Sequence, residues 1–312
     1  MEHQEFVFKL DPRGQPIEAD VYFSPGTQEA TSRPAAIMFH GGGFVIGAKE
    51  RIPPQHIKML IELGFIVVVP NYRLAPTISM YEGPFQDSKD AYTWCQTDLP
   101  KLLPTGLSVD SQRMVAIGYS AGATLALLLA SMQTKPRAIL DFYGPLNFSD
   151  KFWHSPLPSL ADLPPFPPEL LAKVFEEEDP SSVASSLERP SPDSNAAPKL
   201  DLSRPRNAWL FNAMKEGHHL RSVVGDGDYA RVDPISFFSG EFPPTAFIHG
   251  NQDTLVEFRF SKDAYEALQK LGVETQLLEI EGKNHGFDAG IEEGMEGWDK
   301  IQAGLEFLAN HV

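Results

Sequence analysis

The chain has 312 residues, 42% of them hydrophobic and 22% charged, with a formal net charge of −16. That length accommodates one large α/β domain or two small ones, and the composition is ordinary for a soluble globular protein. The acidic balance argues against nucleic acid or an anionic membrane surface as a partner. Cys95 is the single cysteine, which excludes an intrachain disulfide and fits a reducing compartment. Met1-Glu2-His3-Gln4-Glu5 lacks the basic start and long apolar stretch of a signal peptide, and no apolar run reaches membrane-spanning length. A cytoplasmic protein with no membrane span is therefore expected.

In chain order, Glu5–Leu10 and Glu18–Phe23 read as two strands joined by the turn Asp11-Pro12-Arg13-Gly14. Ala35–Phe39 and Phe65–Val69 are apolar runs of strand length flanking a helix over His56–Leu63. Asp87–Thr97 predicts a helix, Met114–Gly118 a strand, and Ala121–Met132 an alanine-rich helix. Ala138–Phe142, Thr245–His249 and Gln276–Ile280 are further strands, with helices over Glu257–Leu271 and Gly294–Asn310. Strands that alternate with helices and are apolar on both faces predict an α/β fold with a mainly parallel sheet flanked by helices. The first hairpin would form an antiparallel edge.

The alternation breaks between residues 145 and 239. Proline recurs there at Pro156, Pro158, Pro164, Pro165, Pro167, Pro168, Pro180, Pro190, Pro192, Pro198 and Pro205, which excludes a long regular element. Short helices over Leu170–Glu178 and Ala208–Glu216 fit the pattern, and Ser181–Pro198 reads as a mobile stretch. Residues 1–312 are thus expected to form one domain, with 145–239 inserted as a proline-rich cap or lid.

Gly118-Tyr119-Ser120-Ala121-Gly122 lies between an apolar strand and a helix. A serine at such a turn projects its hydroxyl from the sheet edge above a helix N-terminus, as an activated nucleophile requires. His40-Gly41-Gly42-Gly43 follows another strand and can aim backbone N–H groups of Gly41, Gly42 and Gly43 at a developing oxyanion, with the N–H of Ala121 as a further donor. Asp253 and His285 each follow a strand, in the chain order Ser, Asp, His. His285 would take the Ser120 proton and Asp253 would hold the imidazole. Asp87, Asp90, Asp233 and Asp288 are alternative acids. Among the other histidines, His249 ends a strand below the site, His154 belongs with the lid, and His218-His219 is a weak metal signal without carboxylate support. No metal or other cofactor is expected.

The set formed by His40–Gly43, Asn71-Tyr72-Arg73-Leu74-Ala75-Pro76, Gly118–Gly122, Gly250 with Asp253, and His285-Gly286-Phe287 resembles the hormone-sensitive-lipase-like branch of the α/β-hydrolases. The resemblance implies a cofactor-free serine carboxylic-ester hydrolase with a cap over its site. It implies Ser120, Asp253 and His285 as triad, Gly42, Gly43 and Ala121 as main oxyanion donors, and a framework role for Arg73 and Asp90. It also admits a homodimer. The chain departs from the family in carrying Tyr119 where an aspartate usually precedes the nucleophile, and in the long proline-rich insertion.

The expected activity is cleavage of a small to medium ester with an apolar group, for which Phe44, Tyr119 and Trp153 are substrate-pocket candidates. The alternative is a biosynthetic tailoring step on a thioester, lactone or amide with the same triad, and the minor alternative a non-catalytic ligand receptor.

Overall fold

The computed structural model describes residues 1–25, 31–176 and 201–312. Its strands are β1 (Glu2–Leu10), β2 (Pro16–Phe23), β3 (Thr31–Phe39), β4 (Ile66–Pro70), β5 (Leu107–Tyr119), β6 (Ile139–Phe142), β7 (Thr245–Gly250) and β8 (Thr275–Ile280). The first helices are α1 (Pro54–Glu62), α2 (Gln86–Thr97), the single turn α3 (Leu99–Leu102) and α4 (Ala121–Leu128). They are followed by α5 (Pro168–Ala172), α6 (Pro205–Lys215), α7 (His219–Val224), α8 (Arg259–Lys270) and α9 (Trp298–Ala309).

The strands form one sheet in the order β1-β2-β4-β3-β5-β6-β7-β8. The β1–β2 and β2–β4 pairs are antiparallel, and the pairs from β4–β3 through β7–β8 are parallel. Alternate residues feed two cores. Ile37, Phe39 and Ala116 pack with Tyr92 of α2, Leu125 of α4 and Phe260 of α8. Ala36, Met38, Val115 and Ile117 pack with Leu60 of α1 and Leu305 of α9. Burial on both faces accounts for the unbroken apolar reading of β3 to β7.

Several elements differ in length from the sequence expectation, among them β1 and β3, which start earlier, α9, which starts later, and β5 and α4. β5 starts at Leu107 because its first residues pair with Thr31, Ser32 and Arg33 ahead of a register shift in β3. α4 ends at Leu128, and Leu129–Ser131 tightens into a 3-10 turn closed by the Ser131 hydroxyl on the Leu128 carbonyl.

Between β6 and β7 the described chain carries α5, α6 and α7 among short 3-10 turns. The helix expected over Leu170–Glu178 is α5 plus a 3-10 turn over Lys173–Glu176, and its last residues lie outside the described residues, as does Ser181–Pro198. Arg206 of α6 is buried and donates to the carbonyls of Val45 and Ala75, at 2.9 and 2.5 Å. The Val223 carbonyl of α7 accepts from the Met80 N–H at 2.7 Å. These bonds fasten the inserted helices to the loops that follow β3 and β4.

Candidate active site

Ser120 joins β5 to α4 with φ 52° and ψ −122°, a conformation that costs a non-glycine residue energy and persists only where its surroundings enforce it. The enforcement is close packing on both sides. A Cβ at Gly118 would lie 2.1 Å from the Gly122 carbonyl oxygen, and one at Gly122 would lie 2.2 Å from that of Phe39. The Ser120 N–H is fixed to the Phe142 carbonyl of β6 at 2.8 Å. The two glycines of the pentapeptide are therefore steric requirements of the turn.

The loop after β3 runs beside this turn. A Cβ on Gly41 would meet Ser120 Cβ at 3.2 Å, and Gly42 and Gly43 both adopt positive φ, 129° and 59°. The Gly42 carbonyl accepts from the N–H groups of Val45 and Ile46, each at 3.0 Å, which turns the loop back on itself. Among the described residues, the N–H groups of Gly42 and Gly43 donate to no backbone acceptor. The N–H of Ala121 opens α4, where a helix leaves its first donors unsatisfied. His40 anchors the loop from beneath: its ring stacks on Tyr72 at 4.1 Å and its Nδ1–H donates to the Gly41 carbonyl at 2.8 Å. Burial lowers the His40 pKa to about 3, so the ring is neutral at physiological pH.

His285 Nε2 lies 3.0 Å from Ser120 Oγ, and its Nδ1 lies 2.6 Å from Asp253 Oδ2. Asp253 follows β7 and His285 follows β8, so adjacent parallel strands deliver both at the carboxyl edge, where Ser120 also emerges. The two loops are knitted together by Asn284, whose Oδ1 accepts from the N–H groups of Thr254 and His285 at 3.0 and 2.7 Å. The Asp253 Oδ1 accepts from the N–H groups of Leu255 and Val256 at 2.8 and 2.9 Å. Burial alone would raise this carboxyl, but hydrogen bonds from His249, His285 and Val256 hold it well below the usual carboxylate range.

The alternative acids are occupied elsewhere. Asp87 is buried against Arg73 and Lys9, and Asp90 pairs with Lys9. Asp233 accepts from the N–H groups of Asn147 and Phe148, and Asp288 accepts from the Tyr143 hydroxyl. The adjacent histidines of 218-219 separate: His218 Nδ1 meets the Ser222 hydroxyl at 3.0 Å, while His219 Nε2 donates to the Gly43 carbonyl at 2.8 Å. His154 Nε2 meets the Phe148 carbonyl at 2.9 Å.

Two of the three pocket candidates are corrected. Tyr119 is 5% exposed and lies in the core that packs on α1 and α9; its ring stacks on Phe142 and its hydroxyl meets His56 Nδ1 at 2.7 Å. Strand alternation is the reason, since residue 119 belongs to the face of Val115 and Ile117. Phe44 is 1% exposed and sits in the other core. Trp153 is partly buried, stacked on Phe260 at 4.9 Å with its indole N–H on the Leu146 carbonyl.

Sequence reading missed two contributors. His219 reaches the oxyanion loop from the inserted segment, and a Cβ on Gly43 would also meet Leu210 of α6 at 2.8 Å. Tyr143, at φ 48°, lays its ring 4.6 Å from that of His285. Neither has a local sequence signal, because each contact joins distant segments.

The strand order and the hydrogen-bonded Ser120, His285 and Asp253 at one sheet edge define the class of protein: an α/β hydrolase. A family model described as alpha/beta hydrolase fold matches residues 36–165. It is 30% identical over 342 residues to the non-reducing polyketide synthase ausA of Aspergillus calidoustus, covering 96% of this chain and 14% of that protein. It is 32% identical over 309 residues to the non-reducing polyketide synthase Preu3 of Preussia isomera, covering 87% of this chain and 12% of that protein. The chain thus spans a small fraction of the curated relatives it matches. Among solved structures it is similar to Thermogutta terrifontis esterase 2 phosphonylated by sarin, with TM-score 0.68, 20% identity, and 98% and 94% of the two chains covered. It is also similar to a protein with unknown function from Staphylococcus aureus subsp. aureus Mu50, with TM-score 0.70, 17% identity, and 99% and 98% covered. At these identities the structural likeness is one of fold. Among the described residues, no helix is long and apolar enough to cross a membrane.

Proposed function

We propose that the chain is a serine hydrolase that cleaves a small to medium carboxylic ester through an acyl-enzyme on Ser120. The observation that carries the reading is the continuous line from Ser120 Oγ through His285 to Asp253, with contacts of 3.0 and 2.6 Å. Ser120 Oγ attacks the carbonyl carbon as its proton passes to His285 Nε2. The N–H groups of Gly42, Gly43 and Ala121 receive the negative charge that develops on the carbonyl oxygen. His285 then protonates the leaving alcohol, and water, activated by the same imidazole, releases the acid and regenerates Ser120. Asp253 holds the ring with Nδ1–H toward itself and offsets its charge while it is protonated.

In this reading the segment 145–239 is a cap that bounds the acyl or alcohol site. Leu210 and His219 beside Gly43, and the Ser159 hydroxyl on the Thr254 carbonyl at 2.9 Å, favour that role. The partner is a small molecule, and a cytoplasmic location fits the lone buried Cys95. Fluorophosphonate labelling tests the nucleophile: the wild type should be labelled at Ser120 and turn over aryl esters. Full turnover by Ser120→Ala would sink the reading.

A second reading is favoured by similarity to non-reducing polyketide synthases over most of this chain. Here the same residues release or transfer a polyketide acyl group held as a thioester or ester. Thiolate needs less assistance as a leaving group than alkoxide, so the site requires no additional acid. Turnover of matched acyl esters, thioesters and amides separates the readings, and a strong preference for simple alkyl esters would count against this one.

A further inference from the structure

Asp253 Oδ2 is shared by two imidazoles. His285 Nδ1 lies 2.6 Å away and His249 Nε2 3.1 Å away. His249 is fully buried near the end of β7, and its Nε2 is also 3.0 Å from the Val256 carbonyl oxygen. A carboxylate and a carbonyl are both acceptors, so Nε2 carries the proton. In the tautomer protonated at Nε2, Nδ1 accepts from the Ser261 hydroxyl of α8, 2.7 Å away. With Leu255 and Val256 on Oδ1, the carboxylate has four donors, one for each lone-pair site.

We propose that His249 is a positioning residue for the catalytic acid, locking the Asp253 carboxylate plane and drawing part of its charge away from His285. The inference rests on the reading of Ser120, His285 and Asp253 as the reacting triad. The Val256 carbonyl and the Ser261 hydroxyl hold the His249 ring, and His249 fixes the carboxylate. The carboxylate in turn sets both the orientation of His285 and the readiness with which it takes the Ser120 proton. Removing the His249 N–H concentrates the negative charge of Oδ2 on His285 and favours the imidazolium. The other groups around the two rings are Tyr143, whose ring is 4.6 Å from His285 and 6.3 Å from His249, and Phe258, 5.7 Å from His249. Asp288 is hydrogen-bonded to Tyr143 and feels the charge of Arg51.

The test is the pH profile of kcat/KM for an aryl ester, whose acid limb reports the base of the free enzyme. His249→Phe keeps the ring shape and loses the donor. It should move the acid limb upward by about half a pH unit or more and lower kcat about tenfold. His249→Gln restores an N–H of similar reach and should return the limb toward wild type. If His249→Phe does not fold, Ser261→Ala decides, with a smaller shift in the same direction expected. A folded His249→Phe or Ser261→Ala with an unmoved limb overturns the proposal, as does failure of His249→Gln to restore it. Full turnover by Ser120→Ala would instead sink the triad reading beneath it.

Discussion

The carbonyl oxygen of Gly43 lies 2.8 Å from Nε2 of His219, a contact across 176 positions of sequence that joins the inserted segment to the oxyanion loop. Nε2 donates, and burial lowers the His219 pKa to about 4, so the contact is made by the neutral ring at physiological pH. His219→Leu frees the Gly43–Phe44 peptide to rotate and misaligns the neighbouring N–H donors. The expected result is a loss in kcat of about tenfold with a smaller change in KM, since the bond serves the transition state more than binding. Steady-state kinetics at several pH values above 5 check it, and an unchanged kcat would show that the loop holds its shape alone.

Ser120→Ala and Ser120→Gly should both lower turnover by about four orders of magnitude or more. They should differ in stability. Alanine inherits the positive φ of 52°, whereas glycine adopts it without a Cβ penalty. Ser120→Gly is expected to melt above Ser120→Ala by about 2 °C, equivalent to about 1 kcal/mol in a chain of this size. Equal melting temperatures would mean that the turn stores no strain.

Asp141 on β6 is fully buried, and its Oδ2 has no hydrogen-bond partner among the described residues. Burial pushes its carboxyl up to about 7, against a hydrogen bond from the Gly144 N–H. An unfolded aspartate ionises near 4, so between about 4 and 7 the folded chain binds the extra proton. The contribution of Asp141 is therefore present at low pH and lost as pH rises through about 7. Asp141→Asn cannot ionise, and its melting temperature relative to wild type should rise across that window by on the order of 5 °C, then level off. Melts at a series of pH values test this, and a constant difference would refute it.

Tyr119→Phe should leave the acyl-chain profile of the enzyme unchanged, because the hydroxyl meets His56 on the far face of the sheet. Stability should fall by about 1–2 kcal/mol, since Nδ1 of the buried His56 ring loses its hydrogen bond to the Tyr119 hydroxyl. An acyl-chain series on wild type and variant, with thermal melts, reads both effects. A shifted chain-length optimum would place residue 119 back in the substrate site.

The α/β order and the identity of Ser120, Asp253 and His285 as candidates were legible because they depend on local pattern. Apolar runs of strand length, a glycine pair flanking a serine, and acid and histidine at strand ends all leave marks within a few residues. Tyr119 was misread for a related reason. Its neighbour Ser120 is the nucleophile, but the period-two alternation of β5 sends the two side chains to opposite faces, and that alternation is masked when both faces are apolar.

The sequence by itself determined the elements, the parallel sheet and the residues able to perform acyl transfer, because short-range sterics and hydrophobic pattern dictate these. Tertiary structure alone decided which acid meets His285, that His249 shares Asp253, and that His219 grips Gly43. The His285–Asp253 and His219–Gly43 hydrogen bonds join groups delivered by different elements, and the His249–Asp253 contact requires the turn after β7 to fold Asp253 back on the strand end. Strand order and loop packing decide these contacts, and neither is written in a local pattern.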